Sequence, residues 1–196
     1  MADPWLIAGL GNPGDRYAKT RHNAGAMVLD RLCARLGAPL KKVRFVAATA
    51  AEARTGDVPL LLVRATTFMN ESGPPIASLA RKRDIPAERV VVVHDEIDLA
   101  FGALRVKFGG STAGHNGLES VVTAFRSPEF NRIRIGVGRP PGRRDPIDFV
   151  LAPFASRERD EVEVLIEDAA DAALVLVTEG LSAAQDRYNR GAGGER

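Results

Sequence analysis

Histidine and cysteine, the side chains most used for acid–base and nucleophilic chemistry near neutral pH, are scarce in this chain. Its 196 residues contain three histidines, His22, His94 and His115, and one cysteine, Cys33. A single cysteine excludes a disulfide framework and a cysteine-rich zinc site. Cys33 also falls on the apolar side of a helical pattern, and no serine occupies a Gly-x-Ser-x-Gly turn, so a covalent nucleophile is not expected. The sequence therefore favours activation of water by a side chain.

Two histidine-containing segments have neighbours that suit catalysis. His22 stands at the entry to the first predicted helix, where a neutral imidazole could act as a general base if a carboxylate fixed its other ring nitrogen. The segment 94–98, His-Asp-Glu-Ile-Asp, follows a run of four valines, which predicts that it lies at the carboxyl edge of a buried sheet. Its three carboxylates could orient a histidine, hold magnesium for phosphoryl chemistry, or be solvated turn residues. The residues alone leave these three possibilities open.

Two loops place asparagines beside glycines or other polar residues. The first runs from Thr66 to Gly73 and contains Asn70, and the second is Gly114-His115-Asn116-Gly117. An asparagine amide can both donate and accept hydrogen bonds, which suits recognition of a peptide backbone or stabilisation of an oxyanion. Asparagine next to glycine is also ordinary turn chemistry. Both interpretations stand at this point.

The glycine-rich turn over residues 9–14 matches the spacing of a dinucleotide-binding loop, and Asp30 lies near the distance expected of a ribose-binding acid. In such a loop the last glycine opens a helix whose N-terminus faces the pyrophosphate. Here residues 15–22 intervene, and Asp30 falls inside the predicted helix. The sequence therefore argues against nicotinamide binding and keeps a dinucleotide-dependent oxidoreductase only as a weak alternative.

Alternating strand and helix patterns predict the elements that position these residues. Strands are predicted at 5–10, 43–54, 58–64, 89–94, 104–108 and 130–137, and helices at 23–36, 74–83, 116–125, 157–178 and 182–189. This order is typical of the α/β class and predicts a single three-layer domain over residues 1–189. The polar, glycine-containing end of the chain, residues 190–196, is predicted to be a disordered tail.

Composition and charge narrow the class of protein. Hydrophobic residues make up 45% of the chain and charged residues 27%, which excludes an intrinsically disordered chain. No apolar run approaches the roughly 20 residues that span a membrane, and no signal-peptide pattern begins the chain, which predicts a cytoplasmic location. The net charge of +2 conceals a polarity, because residues 157–171 carry a net −5 and the rest carries +7. Basic clusters in that remainder suit a polyanionic partner or a solvated surface.

Six segments, taken together and in order, resemble the bacterial peptidyl-tRNA hydrolase family. They are residues 9–14, 20–25, 67–73, 94–99, 114–118 and 134–140, and the resemblance spans about residues 5–188. It implies a monomeric α/β fold with a mixed, mainly parallel twisted sheet between helices. It also implies a carboxylic ester hydrolase that cleaves the bond between a nascent peptide and the 3′ end of tRNA, releasing tRNA for translation.

The resemblance further implies roles for individual residues. His22 matches the family's catalytic base, and Asp95 matches the acid that orients it. The matching substrate-binding positions are Asn12, Tyr17, Met69, Asn70, His115 and Asn116. The basic positions Lys107 and Arg134, with Arg105 as a neighbour, resemble a clamp on phosphates of the tRNA acceptor stem. No metal or cofactor is implied, and the expected partner is peptidyl-tRNA through its acceptor stem and 3′ end.

The resemblance includes a second class of protein. A chloroplast intron-splicing factor uses the same fold as a protein- and RNA-binding module, so the motifs alone leave a binding function open. The absence of a transit-peptide pattern argues against that module here.

Overall fold

The computed structural model describes residues 2–189, and its central feature is a seven-stranded sheet within that range. The strands are β1 (Trp5–Gly9), β2 (Lys41–Lys42), β3 (Ala48–Thr55), β4 (Val58–Ala65), β5 (Val90–Glu96), β6 (Leu104–Phe108) and β7 (Asn131–Gly136). The helices are α1 (Ala24–Arg35), α2 (Gly73–Lys82), α3 (Asn116–Phe125), α4 (Pro146–Val150), α5 (Arg159–Glu179) and α6 (Leu181–Tyr188). The predicted tail, residues 190–196, lies outside the described residues.

The strand order is β2-β3-β4-β1-β5-β7-β6. Strands β4, β1, β5 and β7 pair in parallel, while β3 and β6 pair antiparallel to their neighbours. Because β2 is antiparallel to β3, five strands run in one direction and two in the other. The structure therefore confirms the mixed, mainly parallel sheet.

Each face of the sheet buries its own hydrophobic core. Val91 and Val93 of β5 belong to the core under α1 and α5, whereas Val90 and Val92 belong to the core on the α2 and α3 side. All four valines are completely buried, as expected of a parallel strand covered on both faces. The three-layer α/β architecture is thus confirmed, and the run of four valines that follows Arg89 is its central strand.

Two glycines bring α1 unusually close to the sheet. A Cβ atom on Gly25 would lie 2.0 Å from the carbonyl oxygen of Val93, and one on Gly9 would lie 2.4 Å from the carbonyl oxygen of Gly25. The backbone N–H of Ala26 donates to the carbonyl oxygen of Leu10 at 2.9 Å. This contact fixes the start of α1, and the 3-10 turn Arg21–Asn23 before it, against the carboxyl ends of β1 and β5.

Two elements differ from the sequence predictions. The predicted strand at 43–54 begins only at Ala48, because Phe45 adopts a φ of +62° and residues 43–47 form a turn after β2. The short helix α4 was not predicted, although Asp145 and Pro146 carry a local signal for it. The Asp145 carboxylate accepts a hydrogen bond from the Ile147 backbone N–H at 2.7 Å, and proline suits the first helical position.

The dinucleotide-binding alternative finds no support in the local structure. Turns occupy residues 13–19, and α1 begins only at Ala24, so the last glycine of the turn opens no helix. Asp30 forms an ion pair with Arg64 at 2.5 Å. Separately, no helix within residues 2–189 is long and apolar enough to cross a membrane.

Candidate active site

A cleft of about 610 Å³ opens at the carboxyl ends of β1 and β5. β1 leads into the loop that carries Asn12, β5 ends at Asp95 and Glu96, and the 3-10 turn before α1 supplies His22. The residues predicted for catalysis and substrate binding all line this cleft: His22, Asp95, Asn12, Tyr17, Met69, Asn70, His115 and Asn116. The fold therefore brings together segments that are up to about a hundred residues apart in the chain.

Asp95 is the centre of the polar network in this cleft. Its Oδ1 atom lies 2.9 Å from His22 Nδ1 and 2.9 Å from His115 Nε2, and its side chain is 2% exposed. Burial alone would raise the pKa of the Asp95 carboxyl. Electrostatic attraction to the His115 and His22 rings and the hydrogen bonds that their N–H groups donate outweigh burial and hold that pKa below its ordinary value. Asp95 is therefore an ionised carboxylate that accepts two hydrogen bonds on one oxygen.

The cap of helix α3 fixes the tautomer of His115. Its Nδ1 atom accepts hydrogen bonds from the backbone N–H groups of Gly117 at 3.1 Å and Leu118 at 3.3 Å. An accepting Nδ1 carries a lone pair, so the proton of the neutral ring lies on Nε2 and is donated to Asp95. His115 thus holds the carboxylate in place.

His22 has the opposite arrangement of ring nitrogens. Because Asp95 is a carboxylate and can only accept, His22 Nδ1 carries the proton of their hydrogen bond. In the neutral ring the Nε2 atom then has a free lone pair, and the side chain is 13% exposed and lines the cleft. This is the arrangement required of a general base whose tautomer is set by a carboxylate.

The same three side chains could be read as a metal site, because one ligand atom from each of His22, Asp95 and His115 lies within 4.8 Å of the others. The hydrogen bonds argue against this reading. To bind a cation through Nε2, His115 would have to lose its proton while Nδ1 still accepts from the α3 backbone. The donor set suits proton transfer better than cation binding.

The three carboxylates of the 95–98 segment have separate partners. Glu96 Oε2 accepts a hydrogen bond from Arg134 Nε at 3.3 Å, and its Oε1 accepts one from the Asp98 backbone N–H at 3.1 Å. The Asp98 carboxylate forms an ion pair with Arg139. The three acids therefore diverge, which removes the geometric basis for the magnesium alternative.

His94 is buried behind this network. Its Nδ1 donates to the backbone carbonyl oxygen of Asp95 at 2.7 Å, and among residues 2–189 its buried Nε2 has no hydrogen-bond partner. Burial, followed by the electrostatic effect of the neighbouring His115 ring, lowers the pKa of His94 to about 3. His94 therefore stays neutral at neutral pH and supports the turn of backbone that carries Asp95.

The low pKa of His94 predicts a pH dependence of stability. Between its unfolded pKa of about 6.5 and its folded pKa, unfolding takes up a proton, so the free energy of unfolding falls as pH falls. In a His94→Asn variant, the side-chain amide can donate an N–H to the Asp95 carbonyl oxygen in place of Nδ1, but the amide does not take up a proton in this pH range. We expect the loss of stability between pH 7.5 and pH 5 to be smaller in this variant by about 2 kcal/mol, measured by urea denaturation. Equal losses in both proteins would contradict a buried neutral His94.

Asn12 is oriented by its neighbours. Its Oδ1 atom accepts a hydrogen bond from the backbone N–H of Met69 at 2.8 Å. Its own backbone exchanges two hydrogen bonds, both 2.9 Å, with the buried side chain of Asn23. Because the amide oxygen is occupied, the amide NH₂ group of Asn12 is the part available to a substrate in the cleft.

Part of the apolar wall of the cleft comes from α4 and the residue that follows it, which sequence reasoning missed. Ile147, Val150 and Leu151 line the cleft, and Ile147 is 64% exposed. The stretch before α4 is rich in proline, glycine and arginine, which hid the short helix. The Asp145-Pro146 pair is the signal that could have identified it.

Arg21 fastens the α4 region beside His22. Its Nη1 atom donates to the carbonyl oxygen of Pro153 at 2.8 Å, and its Nη2 donates to Glu158 at 2.9 Å. Its guanidinium lies 4.3 Å from the ring centre of Phe149. Arg21 therefore holds the α4 wall of the cleft in place, a role that no sequence pattern indicated.

Arg132 is a second residue whose role the sequence did not reveal. It is 2% exposed and donates to the carbonyl oxygens of Ser111 at 2.6 Å and Gly110 at 2.8 Å. These bonds anchor the loop that leads to His115. The alternation along β7 predicted that Arg132 lies on the polar face of the strand. The structure shows that the loop before His115 covers this face at Arg132.

The three basic residues predicted to contact tRNA lie together on β6 and β7. Arg105 is directly opposite Arg134 in the antiparallel pair, so their side chains share one face of the sheet with Lys107. Lys107 is exposed, whereas Arg134 is half-buried and bonded to Glu96. Since Glu96 also lines the cleft, the basic face begins directly beside it.

Comparison with known proteins assigns this arrangement to one family. The sequence model described as peptidyl-tRNA hydrolase matches residues 6–195. A peptidyl-tRNA hydrolase from Mycobacterium marinum is 50% identical over 189 residues, which cover 96% of this chain and 99% of that protein. One from Frankia casuarinae is 50% identical over 186 residues, covering 95% and 94% of the two chains.

Solved structures give the same answer for the fold. The crystal structure of peptidyl-tRNA hydrolase from Acinetobacter baumannii has a TM-score of 0.90 at 33% identity, covering 97% of this chain and 96% of that one. The Arabidopsis thaliana 5′-methylthioadenosine nucleosidase reaches a TM-score of 0.54 at 8% identity, covering 93% and 99% of the two chains, a likeness of fold alone.

Proposed function

The chain belongs to the peptidyl-tRNA hydrolase family, whose activity is the release of tRNA from peptidyl-tRNA, and we propose that His22 and Asp95 carry out this hydrolysis. The observation that carries the proposal is the hydrogen bond from His22 Nδ1 to Asp95 Oδ1 at 2.9 Å. In the neutral ring this bond places the proton on Nδ1 and leaves the lone pair on Nε2, on a side chain that lines the cleft. An ester hydrolysed by water needs such a base, a group that orients it and donors toward the oxyanion.

The proposed reaction proceeds in two proton transfers. His22 Nε2 takes a proton from a water molecule as the water oxygen attacks the ester carbonyl carbon, and the resulting imidazolium is stabilised by the Asp95 carboxylate. Collapse of the tetrahedral intermediate breaks the bond to the 3′ oxygen of tRNA. The proton on His22 passes to that oxygen, so free tRNA and the peptide carboxylic acid leave and the base is restored. The peptide acid then releases its proton to the solvent and becomes a carboxylate.

Three asparagines supply the polar contacts of the substrate in this proposal. The amide NH₂ of Asn12 is the candidate donor to the oxyanion, because its amide oxygen is already bonded to Met69. The amides of Asn70 and Asn116 form no hydrogen bond with the part of the chain that the structure describes, and both line the cleft. They are proposed to contact the peptide backbone, with Tyr17 and Met69 as apolar neighbours.

The proposed chemistry requires no metal ion. We expect prolonged dialysis against EDTA to leave kcat for peptidyl-tRNA hydrolysis within about twofold of the untreated value, because His22 and the Asp95 carboxylate activate water by proton transfer alone. The assay measures the release of free tRNA at a constant magnesium concentration, which the tRNA needs for its own fold. A parallel series measures hydrolysis of a minimal ester with magnesium omitted. Loss of minimal-ester hydrolysis that added Mg²⁺ restores would contradict the proposal and revive a metal-dependent mechanism.

We propose that Arg105, Lys107 and Arg134 contact phosphates of the tRNA acceptor stem. These side chains share one face of the β6–β7 pair, beside the cleft. Phosphate contacts position a nucleic acid without reading its sequence, which suits an enzyme that accepts many tRNAs. The activity is further proposed to reside in the cytoplasm, where translation takes place, and in a monomer, since one chain supplies every group of the site.

Removal of two of these charges provides the test. A Lys107→Ala/Arg134→Ala variant should raise KM for full-length peptidyl-tRNA about tenfold or more while changing KM for a minimal peptidyl-nucleoside by less than about twofold. The logarithm of KM should also depend less steeply on the logarithm of salt concentration, because fewer counterions are released. An equal effect on both substrates would contradict the phosphate clamp.

A further inference from the structure

A second cavity, of about 790 Å³, adjoins the cleft at Asn70 and Asn116, which line both spaces. It lies on the α2 and α3 side of the sheet and is called the side groove here. Phe45, Glu71, Glu119 and Thr123 are among its other lining residues. We propose that the side groove binds the part of the nascent peptide upstream of the residues that occupy the cleft, an inference that rests on the proposed function of the cleft.

Continuity with the cleft is the first argument. Asn70 follows Met69 in a 3-10 turn, and Asn116 begins α3 directly after His115. Both amides are exposed on the ridge between the two spaces and form no hydrogen bond within residues 2–189. A polypeptide leaving the cleft over this ridge would find a donor and an acceptor on either side of its backbone.

The turn between β2 and β3 supplies the second argument. Phe45 lines the side groove and is 87% exposed, although the Arg44 guanidinium lies 4.5 Å from the centre of its ring. Its φ of +62° lies in the left-handed region that a bulky side chain rarely adopts. The turn holds this conformation through the Val43 N–H bond to Ala48 at 3.0 Å and the Ala48 N–H bond to Val46 at 2.7 Å. A strained, exposed aromatic ring at a groove wall indicates a surface for apolar side chains.

The charge of the groove identifies which half of the substrate it receives. Glu71 and Glu119 line it, and among the described residues no lysine or arginine does; Arg44 lies beside its wall, stacked on the ring of Phe45. The acidic lining repels the phosphates of tRNA, whereas Lys107 and Arg134 on β6 and β7 attract them. The two halves of peptidyl-tRNA would therefore leave the cleft in different directions, with the peptide over α2 and α3.

This placement predicts a dependence on peptide length and charge. Peptides long enough to cross the Asn70 and Asn116 ridge gain contacts that a single acylated residue cannot make. Upstream lysine or arginine should be favoured over glutamate, because Glu71 and Glu119 are the charges in the groove. The preference should remain modest, since exposed charge pairs contribute little in water.

A length comparison tests the groove directly. The substrates are an N-acetyl-aminoacyl-tRNA and an N-acetyl-hexapeptidyl-tRNA with the same tRNA and the same residue at the ester. In the native sequence, we expect kcat/KM for the hexapeptide to exceed that for the single residue. A Thr123→Trp substitution, which fills the groove from α3, should lower this ratio by about fivefold or more. The matched Thr178→Trp substitution, at an exposed position of α5 on the opposite face of the sheet, should keep the original ratio.

The charge of the peptide forms a second, independent arm. With lysine or glutamate at one upstream position, we expect the native sequence to favour lysine by about two- to fivefold in KM. The Glu71→Gln/Glu119→Gln variant should bind the two peptides equally. Retention of the lysine preference in this variant would contradict the charge assignment.

The outcomes separate this proposal from the proposed function of the cleft. Hydrolysis of the single-residue substrate depends on the cleft alone. If His22 variants still hydrolysed this substrate at the native rate, the proposed function of the cleft would be wrong. The proposal for the side groove would be wrong instead if Thr123→Trp left the ratio of the two kcat/KM values unchanged. It would also be wrong if the native sequence showed no dependence of kcat/KM on peptide length. If Thr123→Trp fails to fold by circular dichroism, the exposed Phe45→Ala change, which removes the apolar wall, carries the same expectation and the same refutation.

Discussion

A His22→Asn variant should hydrolyse peptidyl-tRNA with a kcat about 10²- to 10⁴-fold lower than that of the native sequence, the usual contribution of a general base. The asparagine amide can place an N–H donor near the position of His22 Nδ1 and so retain the hydrogen bond to Asp95. It has no atom at the position of Nε2. The substitution therefore keeps the support of the Asp95 carboxylate and removes only the nitrogen that would take the proton from water.

A comparison with His22→Ala separates the two roles that His22 could have. If the side chain serves only to hold Asp95, asparagine should preserve much of the activity and alanine should abolish it. If Nε2 is the base, both variants should lose kcat to a similar extent. Single-turnover release of tRNA gives kcat, and binding of uncleaved substrate, measured by filter retention, should stay within about threefold. Near-normal kcat in the asparagine variant would show that His22 is not the base.

Much of the candidate site was predictable because its residues lie in short local patterns. The valine run after Arg89 predicted a strand buried on both faces, and the next positions, His94 and Asp95, then had to lie at the carboxyl edge of the sheet. The asparagine beside His115 likewise falls at the start of a periodic helix. Because these signals are local, the strand and helix ranges agree with the structure to within a few residues for most elements.

Other features depend on contacts between distant segments, which a single sequence does not encode visibly. Arg132 looks like a surface residue of an alternating strand until the loop before His115 packs over it. The backbone cap that fixes the tautomer of His115, and thereby the proton it shares with Asp95, exists only when α3 starts at Asn116. Phe45 lies in a predicted strand, and only the tight turn there exposes its ring. In each case tertiary packing decided what a residue does.

An Asp95→Asn variant should also lower kcat, by about 10²- to 10⁴-fold, although both histidines can keep their hydrogen bonds to an amide oxygen. A neutral amide gives less stabilisation to the His22 imidazolium that forms during attack by water. The amide NH₂ group can in addition donate to a ring nitrogen and reverse the tautomer of His22. Binding of substrate should change little, because the Asp95 side chain is 2% exposed and its Oδ1 atom is occupied by two histidine rings.

The stability of this variant has an expected sign. The folded protein holds the pKa of Asp95 below its ordinary value, so the ionised carboxylate stabilises the fold above the unfolded pKa of about 3.9 and that stabilisation is lost as pH falls. The amide cannot supply it, so Asp95→Asn should unfold at a lower urea concentration at pH 7. Rates are therefore compared at a temperature well below the melting temperature of each variant.

Combining the two substitutions tests whether His22 and Asp95 act as one unit. If Asp95 works only by orienting and stabilising His22, nothing remains for it to assist once the base is gone. The His22→Asn/Asp95→Asn double variant should then have a kcat within about threefold of the slower single variant. A kcat equal to the product of the two single losses would mean that Asp95 acts on the substrate independently of His22. The shared oxygen Asp95 Oδ1 also contacts His115, so the same cycle with His115→Asn shows how much of the Asp95 effect passes through each ring.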